Sequence, residues 1–273
     1  MSVVEISRGS SPVILAFPHT GTDLPADIRQ RLNGNGEILA DTDWHIERLY
    51  DGLLQGATTV RATFHRYVID ANRDPAGVSL YPGQNTTSLV PDTDFDGRPI
   101  WREGEAPNAA DIASRLAEFH APYHAALSAE IERVKAEHGV AILYDCHSIR
   151  STIPFLFDGR LPDFNIGTDM GRTCAREIEQ SAFDICARAE GYSNILNGRF
   201  KGGWTTRHYG RPAEDVHAIQ MELAQAIHLS SEAPPFDYDE HKAARLRVVL
   251  QDILQRLEAI APTLPRSSGR ISR

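Results

Sequence analysis

Three features of the sequence predict a single-domain α/β fold, with a mixed, mainly parallel sheet carrying helices on both faces. Short apolar runs alternate with segments of helical periodicity, the signature of strand-helix-strand units. The length suits one large domain, and 273 residues at 41% apolar content supply enough material for a doubly covered sheet. Several apolar runs also lead straight into His or Glu, and sheets of this kind bind ligands outside the carboxyl ends of their strands.

The elements follow in order. Pro12-Val13-Ile14-Leu15-Ala16-Phe17, stopped by Pro18, reads as a buried strand that delivers Pro18-His19-Thr20-Gly21 to its end. Over 43–55 the apolar positions Ile46, Leu49, Leu53 and Leu54 recur at helical spacing, and Thr42 as N-cap would place Asp43 in the first turn. β-Branched and aromatic residues predict strands at 59–64 and 67–70, followed by the polar turn Ala71-Asn72-Arg73-Asp74-Pro75. Residues 82–109, rich in Pro, Gly, Asn, Asp and Thr and without a period, are expected to form a long loop that acts as a lid. A helix over 111–138 contains Pro122, which should kink or divide it, and ends at Gly139.

The clearest central strand, 140–144, runs directly into Asp145-Cys146-His147-Ser148. A helix is expected over 173–190, whereas 197–210 is Gly-rich and aperiodic. The run Val216-His217-Ala218-Ile219-Gln220-Met221 alternates toward Glu222, and 223–228 begins a helix. Residues 238–259 have the Leu and Val spacing of an amphipathic helix. One domain thus fills 1–262, and the polar stretch 263–273 is expected to be a disordered tail.

Composition excludes some functions. A formal charge of -9 argues against nucleic acid as a partner, because phosphate binding needs Lys and Arg in excess. Residues 1–9 lack an export signal, and no run of about eighteen apolar residues is present to span a bilayer, so a cytoplasmic protein without a membrane partner is expected. Cys146, Cys174 and Cys186 make neither a zinc knuckle nor a disulfide framework, and are expected to be reduced. Gly34-Asn35-Gly36 starts like a dinucleotide fingerprint but has no preceding strand and no third glycine, so it is read as a loop.

His19, His147 and Glu222 each follow a predicted strand, and Asp43 opens the helix after the first loop. Two neutral imidazoles and one carboxylate form an open catalytic zinc set, with Glu222 as the base. An amide carbonyl is a poor electrophile and water a poor nucleophile at neutral pH; a divalent metal polarises the first and acidifies the second, while a carboxylate moves the proton. Asp145 is a candidate second partner for His147. Against this, the chain has eleven histidines, and any one of them is more often a surface or hydrogen-bonded core residue. Asp43 would also favour a helix start for electrostatic reasons alone. Arg66, Arg73 and Arg207 lie at strand-to-loop junctions, where a guanidinium fork suits a substrate carboxylate; salt bridges with Asp70, Asp74 or Glu214 are the competing reading. Gly202 and Gly203 allow close backbone approach, with no phosphate-loop Lys and Ser/Thr after them.

Taken together, six segments resemble the N-formylglutamate amidohydrolase (deformylase) family of histidine degradation. They are Phe17-Pro18-His19-Thr20-Gly21, Asp41-Thr42-Asp43-Trp44-His45 with Leu49-Tyr50, Val68-Ile69-Asp70-Ala71-Asn72-Arg73, Tyr144-Asp145-Cys146-His147-Ser148, Phe200 through Gly210, and Gln220-Met221-Glu222. The resemblance covers most of the chain and rests on the order and combination of the segments.

That family is similar in fold to the zinc carboxypeptidases and aspartoacylases. The resemblance therefore implies a phosphorylase/hydrolase-like sheet, one Zn2+ or other divalent metal, and hydrolysis of N-formyl-L-glutamate to formate and L-glutamate. It implies that His19 and His147 are ligands, Glu222 is catalytic, and Asn72 with Arg73 holds a substrate carboxylate. It also implies that the segment with Gly202, Gly203, Thr206 and Arg207 folds over the ligand. The carboxypeptidases place a Glu three residues after the first His, where this chain has Thr22, so the second ligand is assigned to Asp43, with Asp23 or Asp41 as substitutes. Hydrolysis of another N-acyl acidic amino acid, thiol chemistry at Cys146 and non-catalytic binding of a metal or acidic ligand are the alternatives. Oligomeric state stays open.

Overall fold

Strand runs that are apolar at every position have to be buried on both sides, and two layers of helix accomplish this. The computed structural model describes residues 2–79, 83 and 85–266. Among them one sheet contains β1 (Val4–Ser7), β2 (Val13–Phe17), β3 (Thr58–Ala62), β4 (Ala141–Ile149), β5 (Phe164–Gly167), β6 (Asn194–Leu196) and β7 (Val216–Ala224). The order is β1-β3-β2-β4-β7-β5-β6. Pairs β2/β3, β2/β4, β4/β7 and β5/β6 are parallel, and β1/β3 and β5/β7 antiparallel, so the sheet is mixed and mainly parallel as expected.

The helices are α1 (Ala26–Arg31), α2 (Ile46–Tyr50), α3 (Ala109–Arg115), α4 (Ala121–His138), α5 (Arg176–Arg188), α6 (Trp204–Tyr209) and α7 (Glu240–Ile260). Strand alternation divides the core into two clusters. Leu15, Phe17, Tyr144, Cys146, Ile219 and Met221 pack with Leu49 of α2, Ile178 of α5 and Leu250 of α7. Ile14, Ala16, Leu143 and Ala218 pack on the other face with Ile28 of α1 and with Tyr123, Leu127 and Ile131 of α4. No helix among the described residues is long and apolar enough to cross a membrane.

Several local expectations are corrected. Residues 67–70 are not a strand: the His65 ring accepts from Tyr67 N–H at 3.1 Å, and Val68 N–H donates to His65 C=O, which closes a turn. The expected helix over 43–55 shrinks to α2, because His45 is left-handed at φ 62° and Thr42 turns its hydroxyl back onto Leu39 C=O instead of capping. Residues 223–228 begin as the end of β7 and continue as a 3-10 turn, Gln225–Ile227. α6 forms inside the stretch that shows no period. Pro122 divides its helix through a π turn, Leu116–His120, in which Ala121 N–H reaches back to Leu116 C=O; the wider turn relieves the clash of the proline ring with the preceding backbone.

The described part of the 82–109 loop is anchored, with Leu89, Val90, Phe95, Ile100 and Trp101 buried and the Trp101 indole donating to Pro91 C=O at 2.8 Å. At the other end of the chain Leu264 packs into the core, so the expected tail is ordered to at least Arg266, and the rest of it lies outside the described residues.

Ile142 is fully buried in the central strand β4. Ile142→Ala should therefore cost about 2–5 kcal/mol, read as a lower urea midpoint at unchanged m. An unaltered midpoint would place the stabilising core elsewhere.

Candidate functional site

β4 and β7 are nine residues long, whereas β2 ends at Phe17, so the central pair extends past its neighbour. His147 and Glu222 consequently lie within strands instead of beyond them. Parallel pairing sets His147 directly opposite Glu222 and Asp145 opposite Gln220. Alternation sends these four side chains to one face and Cys146 to the other. Cys146 is wholly buried in the apolar cluster there, with its thiol pushed well up by burial and by Asp145, and it does not line the cavity described below.

β2 delivers His19, whose C=O accepts from Asp43 N–H at 3.1 Å, and this bond brings the Asp43 loop to the strand end. His19, Asp43 and His147 are buried, and a ligand atom from each lies within 4.8 Å of the others. Asp43 Oδ2 is 3.8 Å from His19 Nδ1 and 3.1 Å from His147 Nδ1, and it accepts from Ser148 N–H at 3.1 Å. The far nitrogen of each imidazole faces another carboxylate: His19 Nε2 is 2.7 Å from Asp70 Oδ1, and His147 Nε2 is 3.1 Å from Asp145 Oδ1. Asp70, hydrogen-bonded to Nε2, fixes the His19 tautomer that leaves the Nδ1 lone pair for a metal. Two imidazoles and a carboxylate with this backing fit a divalent metal.

The electrostatics agree with this arrangement. Burial and Arg66 keep the His19 pKa down, favouring the neutral ring a metal requires. Burial opposes charge on His147, but Asp145 and Asp43 outweigh it and hold the pKa well above the usual value; a place that favours a proton between two carboxylates favours any cation. Asp70 stays well below the carboxylate range because Arg66 and Arg73 outweigh its burial. The substitutes for Asp43 are elsewhere. Asp41 accepts from Tyr67 O–H and Phe95 N–H and so pins the 82–109 loop, while Asp23 bridges to Phe64 through its backbone.

The three donors open on a cavity of about 340 Å³ that is also lined by Arg66, Asn72, Arg73, Gly203 and Glu222. Burial pushes Glu222 up to about 8, and Gln220 Nε2 donates to its Oε2 at 3.1 Å. Asn72 Oδ1 accepts from Thr205 N–H at 2.8 Å, which turns its amide nitrogen to 3.2 Å from His147 Nε2. Gly203 has to be glycine, since a Cβ there would come 2.3 Å from the Asn72 amide nitrogen. Arg66 does pair with Asp70, at 2.6 Å, the competing reading of its sequence position.

Gly202, Thr206 and Arg207 do not line the cavity among the described residues. Thr206 donates to Asp145 Oδ2 at 3.0 Å from behind. Gly202 C=O accepts from Arg207 Nε, and α6 carries the Arg207 guanidinium to Asp169, 3.4 Å away.

Sequence reasoning missed the parts played here by Gln220, Asp70 and a pair of histidines. His120 Nε2 is 3.1 Å from Arg73 C=O and His124 Nε2 is 2.8 Å from Ala71 C=O, so two imidazoles brace the carbonyls on either side of Asn72. The π turn hides them, because it breaks the 3.6-residue period. Gln220 was legible as the alternate position before Glu222 on the same strand face.

Comparison with known proteins identifies the family. The model of the N-formylglutamate amidohydrolase family matches residues 11–229. The chain is 48% identical to the N-formylglutamate deformylase of Pseudomonas aeruginosa and 45% identical to that of Pseudomonas putida; each match covers 94% of this chain and 96% of the relative. A crystal structure of N-formylglutamate amidohydrolase from Ralstonia eutropha has the same fold, with a TM-score of 0.77 at 24% identity over 97% of this chain and 98% of that one. A protein of Agrobacterium tumefaciens superposes with a TM-score of 0.69 at 17% identity over 95% and 96% of the two chains. A strand-end cluster of this composition, in a chain matched by the family over most of its length, makes the protein a member of the N-formylglutamate amidohydrolase family.

Proposed function

We propose that the chain hydrolyses N-formyl-L-glutamate to formate and L-glutamate, with a zinc ion held by His19, Asp43 and His147 and with Glu222 as general base. The observation that carries this reading is the parallel register that sets Glu222 beside His147, within one cavity, in a chain 48% identical to a named deformylase. When bound, the metal polarises the formyl carbonyl and lowers the pKa of water. Glu222 takes the proton as water oxygen bonds to the formyl carbon, and returns it to the amide nitrogen as the C–N bond breaks. Asn72 and Arg73 hold a substrate carboxylate beside the reacting amide. A cytoplasmic role in histidine degradation belongs to the same proposal.

The thiol alternative gains no support from the fold, which turns Cys146 into the apolar core away from His147. Other N-acyl acidic amino acids are separated from the formyl compound by assay. The metal-loaded enzyme should release L-glutamate from N-formyl-L-glutamate faster than from the acetyl and succinyl analogues, and dialysis against chelator should abolish turnover until zinc is restored. Full turnover by metal-free protein would refute the mechanism.

Two substitutions divide the roles. Glu222→Gln should retain stoichiometric metal while kcat falls on the order of 10²–10⁴-fold, whereas His147→Ala should lose the metal itself. Equal turnover in Glu222→Gln would remove the base. Asp70→Asn should weaken metal affinity on the order of 10- to 100-fold in a chelator competition; unchanged affinity would show that the carboxylate behind His19 has no part in holding the metal.

A further inference from the structure

We infer that Gln220 is the positioning residue of the general base: its amide, locked by Gly203 N–H, holds Glu222 Oε2 so that Oε1 is the oxygen presented to the reacting water. The inference deepens the proposed reaction and rests on it.

A strand fixes the backbone of a base but not its carboxylate. Several rotatable bonds separate the Glu222 carboxylate from the backbone of β7, and a reacting group misplaced by about 1 Å loses on the order of 100-fold in rate. Among the described residues one hydrogen bond reaches that carboxylate, from Gln220 Nε2 to Oε2 at 3.1 Å. Its other oxygen, Oε1, accepts none among them, and the residue lines the cavity. The two oxygens are thus unlike: one is engaged by an amide, the other is left to take a proton.

The direction of the bond follows from its far end. Gly203 N–H meets the Gln220 amide at 2.6 Å, and a backbone N–H can only donate, so the atom it meets is the oxygen. The nitrogen is thereby turned to Glu222, where it donates. Gln220 and Glu222 are alternate residues of β7, so their side chains share a face. Gln220 is also 3% exposed, which leaves its amide little water as a substitute partner.

Gly203 is a fixed point for this chain of bonds. Its C=O accepts from Arg207 N–H at 3.1 Å in the first turn of α6, and the backbone just before it is pressed on β5, where a Cβ on Gly167 would come 2.4 Å from Gly202 N. Close by, Thr205 N–H donates to Asn72 Oδ1 and the Thr206 hydroxyl to Asp145 Oδ2. One short segment therefore orients a residue proposed to hold substrate, the carboxylate behind His147 and, through Gln220, the base.

The test separates turnover from binding. Metal-loaded wild-type enzyme, Gln220→Met, Glu222→Gln and the double variant are assayed on N-formyl-L-glutamate, with metal content and melting temperature measured in each. Gln220→Met, similar in length but without the amide, should lower kcat about 10- to 100-fold, with KM within about threefold and metal stoichiometric. Because Gln220 acts through Glu222, adding Gln220→Met to Glu222→Gln should lower kcat by no more than about a further threefold, where independent effects would multiply. Gln220→Asn keeps an amide but withdraws it by one methylene; it should show the same split, and it stands in for the Met variant, alone and in the double variant, should that one fail to fold. An unchanged kcat in a folded Gln220 variant, a loss carried by KM, or multiplied falls in the double variant assigns Gln220 to anchoring Gly203 or to substrate contact and overturns the proposal. Wild-type turnover in Glu222→Gln removes the base and this proposal with it, and an inert wild type removes the reaction; both are read from enzymes that retain Gln220, so they are told apart from a failure of the Gln220 assignment alone.

Discussion

Buried negative charge is the constraint on which this structure turns. Asp43, Asp145 and Glu222 reach the surroundings of His147 from two strands and a loop, and each is less than a tenth exposed. An isolated buried carboxylate is too costly to keep ionised, so such a cluster persists only with protons or cations among its members. The chain supplies them unevenly. Asp70 is matched by Arg66 and Arg73, whereas among the described residues no arginine makes an ion pair with Asp43, Asp145 or Glu222; burial pushes Glu222 up, and Asp145 and Asp43 hold the His147 pKa well above its ordinary value against burial. A divalent metal seated between His19, Asp43 and His147 would meet the same demand.

The sheet makes that arrangement rigid. β4 and β7 share nine register pairs, and they bring a histidine, a general-base candidate and two supporting polar groups to one face without a loop being involved. Sites on paired strands are held more closely than sites on loops. Asn72 and Arg73, by contrast, are on a turn, and it takes His120, His124 and Thr205 from the surrounding helices to fix it.

Much of the site was legible in the sequence because it follows strand rules. Apolar runs end in His19 and continue into His147 and Glu222, and the two-residue period separates Cys146 from its neighbours; these are local signals. Asp43 was a candidate from its place at an expected helix start and was assigned as a ligand through family resemblance; the helix does not start there, because His45 has a left-handed backbone. That Thr206 and Arg207 are not among the described residues lining the cavity has a related reason. Nothing in 197–210 announces α6, and the helix decides which side chains turn toward Asp145 and Asp169. Residues 67–70 read as strand from their β-branched and aromatic composition, but His65 accepts the Tyr67 N–H that a strand partner would need.

The central claim is that three residues remote in sequence share one cation. Anomalous diffraction at the zinc absorption edge, from crystals of the zinc-loaded protein, tests it most directly. The account predicts one peak about 2 Å from His19 Nδ1, His147 Nδ1 and an Asp43 carboxylate oxygen. A peak on other residues, or none at stoichiometric zinc, would contradict it.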